Sequence, residues 1–438
     1  MKKYDTYKDS GIQWIGQVPE HWAITRIKFL ANAQENSFAD GDWIESPYVT
    51  DSGIRYLTSG NIGNGSFKRQ GNGYITEETF QKLNCKFAYP GDLVFCRLNQ
   101  PFGRSCILPN DQDRYVIAVD NVILRTNEDK RYICYITQLE RYQNYIGMQA
   151  NGTAMQRISR TKLGNVYIPL PPLSEQQAIA DFLDKKTGEI DKAIALFEQE
   201  KIDLQSYRKA IISETVTKGL NPNAKLKDSG IQWIGQIPEE WSVRRIKDKY
   251  ILQTGTTPKG YDSQEESGEL INWFTPADIT ESGNLLKDSL RKISRQVVED
   301  NSISLYPKGS LIFVGIGATA GKLGFAEVEG YSNQQITALI PKDGVQSKYH
   351  FYYLMSVKNV LRDTASYTTM PIINNAFLSK EYLPLPPISE QEAIVAFLDK
   401  KTSAIDTAIE RINAQITELQ TYRTALISEA VTGKIDVR

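Results

Sequence analysis

Lys8–Glu20 reads KDSGIQWIGQVPE, and Lys227–Glu239 reads KDSGIQWIGQIPE. Twelve of these thirteen positions are identical, at an offset of 219 (227 less 8). Trp22 and Trp241 follow each block, and then Arg-Ile-Lys at 26–28 and 245–247. A second block repeats in the same order. Ile168–Asp191 reads IPLPPLSEQQAIADFLDKKTGEID, and Leu383–Asp406 reads LPLPPISEQEAIVAFLDKKTSAID, with seven differences in 24 positions at an offset of 215 (383 less 168). This period is far longer than that of a solenoid repeat. The chain is therefore a tandem duplication of a domain plus an appended segment. Residues 30–165 and 250–380 share only traces, such as Gly91–Phe95 with Gly309–Phe313 and Gly103-Arg104 with Gly321-Lys322. A shared scaffold carrying unlike surfaces is what a protein with two related but unequal targets requires.

The second block opens two long helices. Pro171-Pro172 and Pro386-Pro387 enforce an extended entry. Ser174 and Ser389 read as N-caps, with Gln177 and Glu392 completing capping boxes. No proline follows for about 40 residues, only Gly188 interrupts the first copy, and Gly219 and Gly433 mark the ends. Apolar residues recur at Ile405, Ile409, Ile412, Ile416, Leu419 and Leu426, with Arg423 at the skipped step. The first copy keeps the register with Ile190, Ile194, Phe197, Leu204 and Ile211, and Lys201 and Arg208 fill the remaining seam positions. This is a heptad seam. A helix of about 40 residues is roughly 60 Å long and cannot bury such a stripe alone. The expected partner is the other copy, packed antiparallel. The expected fold is α+β: a first globular domain over 1–170, a helix over 171–219, a second globular domain over 220–385 and a helix over 386–438, with a pseudo-two-fold internal repeat and an antiparallel coiled coil.

Composition narrows the function. The 438 residues are 41% hydrophobic and 24% charged, as in globular proteins. No apolar run reaches the length of a membrane helix and the start lacks an apolar leader, so a cytoplasmic location is expected. The four cysteines, Cys85, Cys96, Cys106 and Cys134, form no C-x-x-C pair, and His21 and His350 are the only histidines. Free buried thiols are expected rather than a zinc site or a disulfide framework. Scarce histidine also disfavours acid–base catalysis. The net charge of −1 runs against nucleic-acid binding, but a split surface can be basic at one face and acidic at another.

Both variable middles read as short strands joined by polar loops. Loops bearing Arg, Asn, Gln and Thr can meet phosphates and base edges. The candidates are Arg55, Arg69, Arg97, Arg104, Gln156, Arg157 and Arg160 in the first, beside Lys68, Asn99 and Gln100. In the second they are Thr256, Thr257, Lys259, Lys322, Asn374 and Asn375, beside Arg291, Lys292 and Arg295. One motif points to an enzyme: Phe313–Gly317 matches the F-x-G-x-G glycine turn of S-adenosylmethionine-dependent methyltransferases. The duplicate stretch, Phe95–Asn99, lacks both glycines, and no Asn-Pro-Pro-aromatic motif occurs, the nearest string being Asn221-Pro222-Asn223-Ala224. A strand–turn–strand is the preferred reading.

The LPP-x-SEQ runs at 170–176 and 385–391, the repeated DSGIQWIGQ segment, Gly255–Pro258 (GTTP), Gly317–Lys322 (GATAGK) and the matched helices resemble the specificity subunits of type I restriction–modification enzymes. The resemblance covers essentially the whole chain. It implies two target recognition domains, each reading half of a bipartite, asymmetric double-stranded DNA site, with helices that set the unread spacer. It implies contacts along 174–217 and 389–432 to two methylation subunits, which bring S-adenosylmethionine, and assembly with ATP-dependent restriction subunits. The chain itself is expected to be non-catalytic and to hold no cofactor or metal. The first domain shows no clear GTTP or GATAGK counterpart. A two-headed coiled-coil scaffold for protein partners is the alternative from another class, and a subunit used for methylation alone is the alternative within the same one.

Overall fold

The computed structural model describes residues 2–152, 156–258, 269–301, 303–365 and 372–438. The chain divides into two compact units, one formed by Met1–Phe197 with Asn413–Arg438 and the other by Glu198–Ile412. The division does not fall between the sequence repeats. Each unit takes one globular head, half of its own long helix and half of the helix of the other repeat.

The two heads have one topology. In the first, a four-stranded sheet orders Phe38–Asp40, Asn121–Leu124, Leu93–Cys96 and Ser105–Ile107. In the second, Tyr250–Thr254, Ile336–Pro341, Leu311–Val314 and Leu323–Ala326 take the same order, extended by Asn284–Leu286. A three-stranded sheet accompanies each: Tyr74–Ile75, Ile54–Leu57 and Tyr115–Ile117 in the first, Arg291–Ser294, Leu270–Phe274 and Tyr331–Ser332 in the second. Each small sheet holds one antiparallel and one parallel pairing.

Alternation along the strands explains how so little shared sequence gives one fold. Leu93 and Phe95 face the core that includes the long helices, while Val94 and Cys96 face the core towards the small sheet. Leu311 and Phe313, against Ile312 and Val314, repeat this division. A strand buried on both faces needs apolar residues at every position but no particular ones. All four cysteines are buried thiols serving these cores.

The conserved flanks of each head pair with each other. Ala23–Arg26 runs antiparallel to Tyr167–Leu170, and Ser242–Arg245 to Tyr382–Leu385. The near-identical blocks thus build a stem beneath each head, and the divergent sequence lies beyond it.

The long helices span Leu173–Lys218 and Ile388–Val431. They begin two residues earlier than the capping boxes required. Pro172 and Pro387 supply the first carbonyls, accepting from Glu175 and Gln176 and from Glu390 and Gln391. Ser174 and Ser389 therefore lie inside the first turn and are not N-caps. Gly188 does not interrupt the first helix. A Cβ there would meet open space, so the position demands nothing of its residue.

Within each unit the helix halves run antiparallel. In the first unit Ile179, Leu183 and Ile190 share a core with Leu426, Ala430 and Val431, and Arg423 donates to Asp191 at 3.0 Å. In the second, Ile212 and Val216 share a core with Ile394 and Leu398, and Arg208 pairs with Asp406 at 3.3 Å. Ile190, Ile405, Ile412, Ile416 and Leu426 are buried, and Ile194, Phe197, Leu204, Ile211, Ile409 and Leu419 half-buried. Lys201, Arg208 and Arg423 are half-buried too, as seam positions filled by long amphipathic side chains should be.

The helix ends tie the repeated motifs together. Glu175 is buried and accepts from Trp22 Nε1 at 3.1 Å, His21 Nε2 at 2.8 Å and the Tyr4 hydroxyl. Burial first, and then this carboxylate, hold the Tyr4 phenol well above its ordinary pKa, so it remains a donor. Glu390 accepts from Trp241 Nε1 at 2.9 Å. Gln176 and Gln391 fold back onto the carbonyls of Pro171 and Pro386. The far ends close on the same tryptophans. Gly433 and Gly219 are left-handed at φ 69° and 76°. A Cβ on Gly433 would lie 3.1 Å from Trp22, and one on Gly219 3.3 Å from Trp241 and 2.6 Å from Glu390. No helix among the described residues is long and apolar enough to cross a membrane.

Candidate nucleic-acid interface

Backbone hydrogen bonds at one end of the larger sheet match the two heads residue by residue. Arg97 N–H donates to the Asp120 carbonyl at 2.8 Å, and Ile158 N–H donates to the Arg97 carbonyl at 3.0 Å. In the second head Gly315 donates to Gln335 at 2.8 Å, and Ile373 to Gly315 at 2.8 Å. Cys96 donates to the Arg104 carbonyl at 2.8 Å, and Val314 to the Lys322 carbonyl at 2.9 Å. Gly41 donates to Asn121, and Gly255 to Ile336. The turn Asn99–Arg104 (NQPFGR) is therefore the structural counterpart of Gly317–Lys322 (GATAGK), and Gly41-Asp42 that of Gly255-Thr256. The counterparts that sequence comparison does not find exist in the backbone. Asn99 at φ 56° replaces Gly317 at φ 104°; asparagine is among the few other residues that tolerate this region.

The same matching accounts for the glycines of F-x-G-x-G. Gly315 sits where a Cβ would come within 2.7 Å of the Ile373 carbonyl, and Gly317 is left-handed. Both belong to the turn between adjacent antiparallel strands.

In the first head this end of the sheet is charged. Arg157 Nε pairs with Asp120 at 2.7 Å, and Arg160 with Asp40 at 3.4 Å, both arginines being close to half-exposed. Gln156 is exposed beside them, and its carbonyl accepts from Asn99 N–H at 3.1 Å. Ser159 caps the turn Arg160–Gly164 that aims Arg160. Two candidates turn inward. Arg97 is buried, donating to the carbonyls of Ile158 at 3.0 Å and Val119 at 2.6 Å and pairing with Asp40 at 3.0 Å. Arg104 spends its guanidinium on the carbonyls of Ile62, Leu98, Asn99, Pro101 and Ser59. These two hold the loops in place rather than facing outward. An arginine surrounded by carbonyls satisfies five backbone acceptors at once, which composition cannot distinguish from a surface arginine.

In the second head the positions matched to Asp40, Asp120, Arg157 and Arg160 carry neutral side chains, Thr254, Gln335, Ile372 and Asn375. Asn375 accepts from Thr337 Oγ1 at 2.8 Å and donates to Thr254 Oγ1 at 3.0 Å. Asn374 caps the turn Asn375–Leu378, accepting from Phe377 N–H at 2.9 Å. Exposed Thr257 donates to Gln334, and exposed Thr256 is anchored by its N–H on the Ser332 carbonyl. Lys322 is half-buried in the turn that follows Gly317. Lys259 lies outside the described residues.

Arg55 and Arg69 are not at this end. Arg55 belongs to the small sheet, lies over the Tyr74 ring at 5.1 Å and donates to the carbonyls of Gly73 and Gln70. Arg69 pairs with Asp111. Both line a cleft of about 290 Å³ with Phe67 and Tyr115. Residue type did not single out Asp40, Asp120, Thr254 or Gln335, because each acts by holding another side chain or a strand end. Their signal is positional: Asp40 and Thr254 end matched strands, and Asp120 and Gln335 immediately precede matched strands.

Comparison with known proteins agrees with this construction. The family model described as the type I restriction modification DNA specificity domain matches twice, at residues 19–204 and 238–418. The MjaX type I restriction enzyme specificity subunit of Methanocaldococcus jannaschii is 25% identical over 97% of this chain and 96% of its own. The EcoKI specificity subunit of Escherichia coli is 22% identical over 69% of this chain and 65% of its own. Among solved structures, a chain from a study of complex assembly and conformational transition of the type I R-M system superposes with a TM-score of 0.71 at 17% identity, covering 94% of this chain and 98% of its own. The HsdS subunit from Thermoanaerobacter tengcongensis gives 0.56 at 17% identity, covering 95% and 98%. The fold is shared with both. With two specificity domains matched in tandem over most of its length, this chain belongs to the type I restriction–modification DNA specificity subunits.

Proposed function

We propose that each head reads one half of a bipartite, asymmetric DNA site, and that the paired helices set the spacer and dock two methylation subunits. The observation that carries this reading is the matched sheet end. One backbone frame presents Arg157, Arg160 and Gln156 in the first head and Thr256, Thr257, Asn374 and Asn375 in the second. Different donors on an identical frame are what two unlike half-sites require, since direct readout depends on which donors and acceptors reach the base edges. Arg97 and Arg104 support these loops from inside, and Arg55 and Arg69 lie in the cleft by the small sheet, away from this end. S-adenosylmethionine and ATP belong, on this reading, to the methylation and restriction subunits, and the chain contributes no catalytic group.

Co-expression with a methylation subunit, followed by genome-wide mapping of methylated adenines, tests the proposal. A single two-part motif with a fixed gap is the expected outcome. Binding that ignores duplex DNA in the assembled complex defeats it, as does binding whose strength is indifferent to salt.

A further inference from the structure

The two heads differ at five matched positions around one sheet end. Asp40, Arg97, Asp120, Arg157 and Arg160 in the first correspond to Thr254, Gly315, Gln335, Ile372 and Asn375 in the second. Every ionised group of the first set is replaced by a neutral one. The backbone contacts are retained, so the change is one of chemistry alone.

Arg157 and Arg160 are held but not used up. Asp120 engages Arg157 through Nε, and no hydrogen bond from its terminal nitrogens occurs among the described residues. Arg160 meets Asp40 through one terminal nitrogen at 3.4 Å. Asp40 is itself fixed by buried Arg97 at 3.0 Å. Arg157 is thus met by a carboxylate at Nε and Arg160 at one terminal nitrogen, which leaves a two-donor edge of each guanidinium without a hydrogen bond among the described residues. An oriented planar fork matches two acceptors side by side. In the major groove that pattern is O6 and N7 of guanine, whereas amide side chains match adenine.

We infer that Arg157 and Arg160 are specificity-determining residues that read guanine in the half-site of the first head, with Asp120 and Asp40 as their positioning residues. The inference rests on the DNA-reading function proposed above. The second head has isoleucine and asparagine where the first has Arg157 and Arg160, so these two positions supply no arginine to its half-site.

The test uses the full chain co-expressed with a methylation subunit, with the methylated motif mapped for wild type, Arg157→Gln and Arg160→Asn. Each variant is expected to relax preference at one G·C pair of one half-site by about tenfold or more, while the other half-site and the gap stay unchanged. The pair Asp40→Thr with Arg160→Asn rebuilds the Thr254–Asn375 contact of the second head. It gives the same readout should the single variant fail to fold. An unchanged motif at uniformly lower occupancy makes these arginines phosphate contacts and overturns the inference. Relaxation at an A·T pair, or in both half-sites, overturns it too. A wild-type complex that methylates no two-part motif instead strikes the DNA-reading function itself.

Discussion

The Trp22 indole donates to the buried Glu175 carboxylate at 3.1 Å, across 153 residues of sequence. The second copy repeats the contact between Trp241 and Glu390 at 2.9 Å. This bond ties the two repeated blocks to each other: the tryptophan follows the first block and the glutamate lies in the second. Glu175→Ala leaves the Trp22 and Tyr4 donors buried without an acceptor. A loss of about 2–4 kcal/mol is expected, from roughly 1–3 kcal/mol for each unsatisfied group less local relaxation. Denaturant titration checks it, and Glu175→Gln should retain part of the stability.

Gly433 and Gly219 terminate their helices in left-handed turns against the motif tryptophans. Alanine at either site adds backbone strain and a contact with an indole. Gly433→Ala and Gly219→Ala should each destabilise by more than about 1 kcal/mol. Gly188→Ala, in open space mid-helix, should stabilise by roughly 0.5–1 kcal/mol. Thermal melts of the three variants should differ in sign.

The helix seam is sensitive only on its inner side. Leu426 is 1% exposed and packs in the first unit's core, whereas Leu196 is 72% exposed. Leu426→Ala should cost about 2–5 kcal/mol, and Leu196→Ala should leave the isolated chain's stability within about 0.5 kcal/mol. Equal losses in both would show that the seam is not where the burial pattern puts it.

His350 gives the second unit a pH dependence. It is fully buried, with Nδ1 2.8 Å from the Tyr250 hydroxyl. Burial, helped by the Lys249 charge, pushes its pKa down to about 3. The unfolded chain takes up a proton near the ordinary value of about 6.5, while the folded one does not. The stability contributed by neutral His350 is therefore present above about pH 6.5 and is lost as the pH falls towards 3, with a slope of up to about 1.4 kcal/mol per unit. His350→Gln should flatten this limb in denaturation curves taken from pH 7 to 4.

Lengthening both long helices by one heptad preserves the seam register and adds roughly 10 Å at 1.5 Å per residue. Under the proposed function the gap in the methylated motif should grow by about three base pairs at 3.4 Å per step, and both half-site sequences should persist. Altered half-sites with an unchanged gap would contradict the assignment of spacing to the helices.

The duplication, the two long helices, their seam and their glycine ends were legible in the chain, because each rests on local periodicity or on outright repetition. The seam residues from Ile190 to Leu426 needed only a spacing rule. The helix starts lie two residues ahead of those the serines indicate, because Pro172 and Pro387, not the serines, take the capping position. The shared topology of the two heads was hidden, because a strand buried on both faces constrains hydrophobicity and leaves identity free. Which arginines face outward was decided only by tertiary structure. Arg97 and Arg157 look alike in sequence, yet one is enclosed by the carbonyls of Val119 and Ile158 and the other lies at the surface on Asp120. That difference arises from contacts some 20 to 60 residues apart along the chain, and local sequence carries no trace of them.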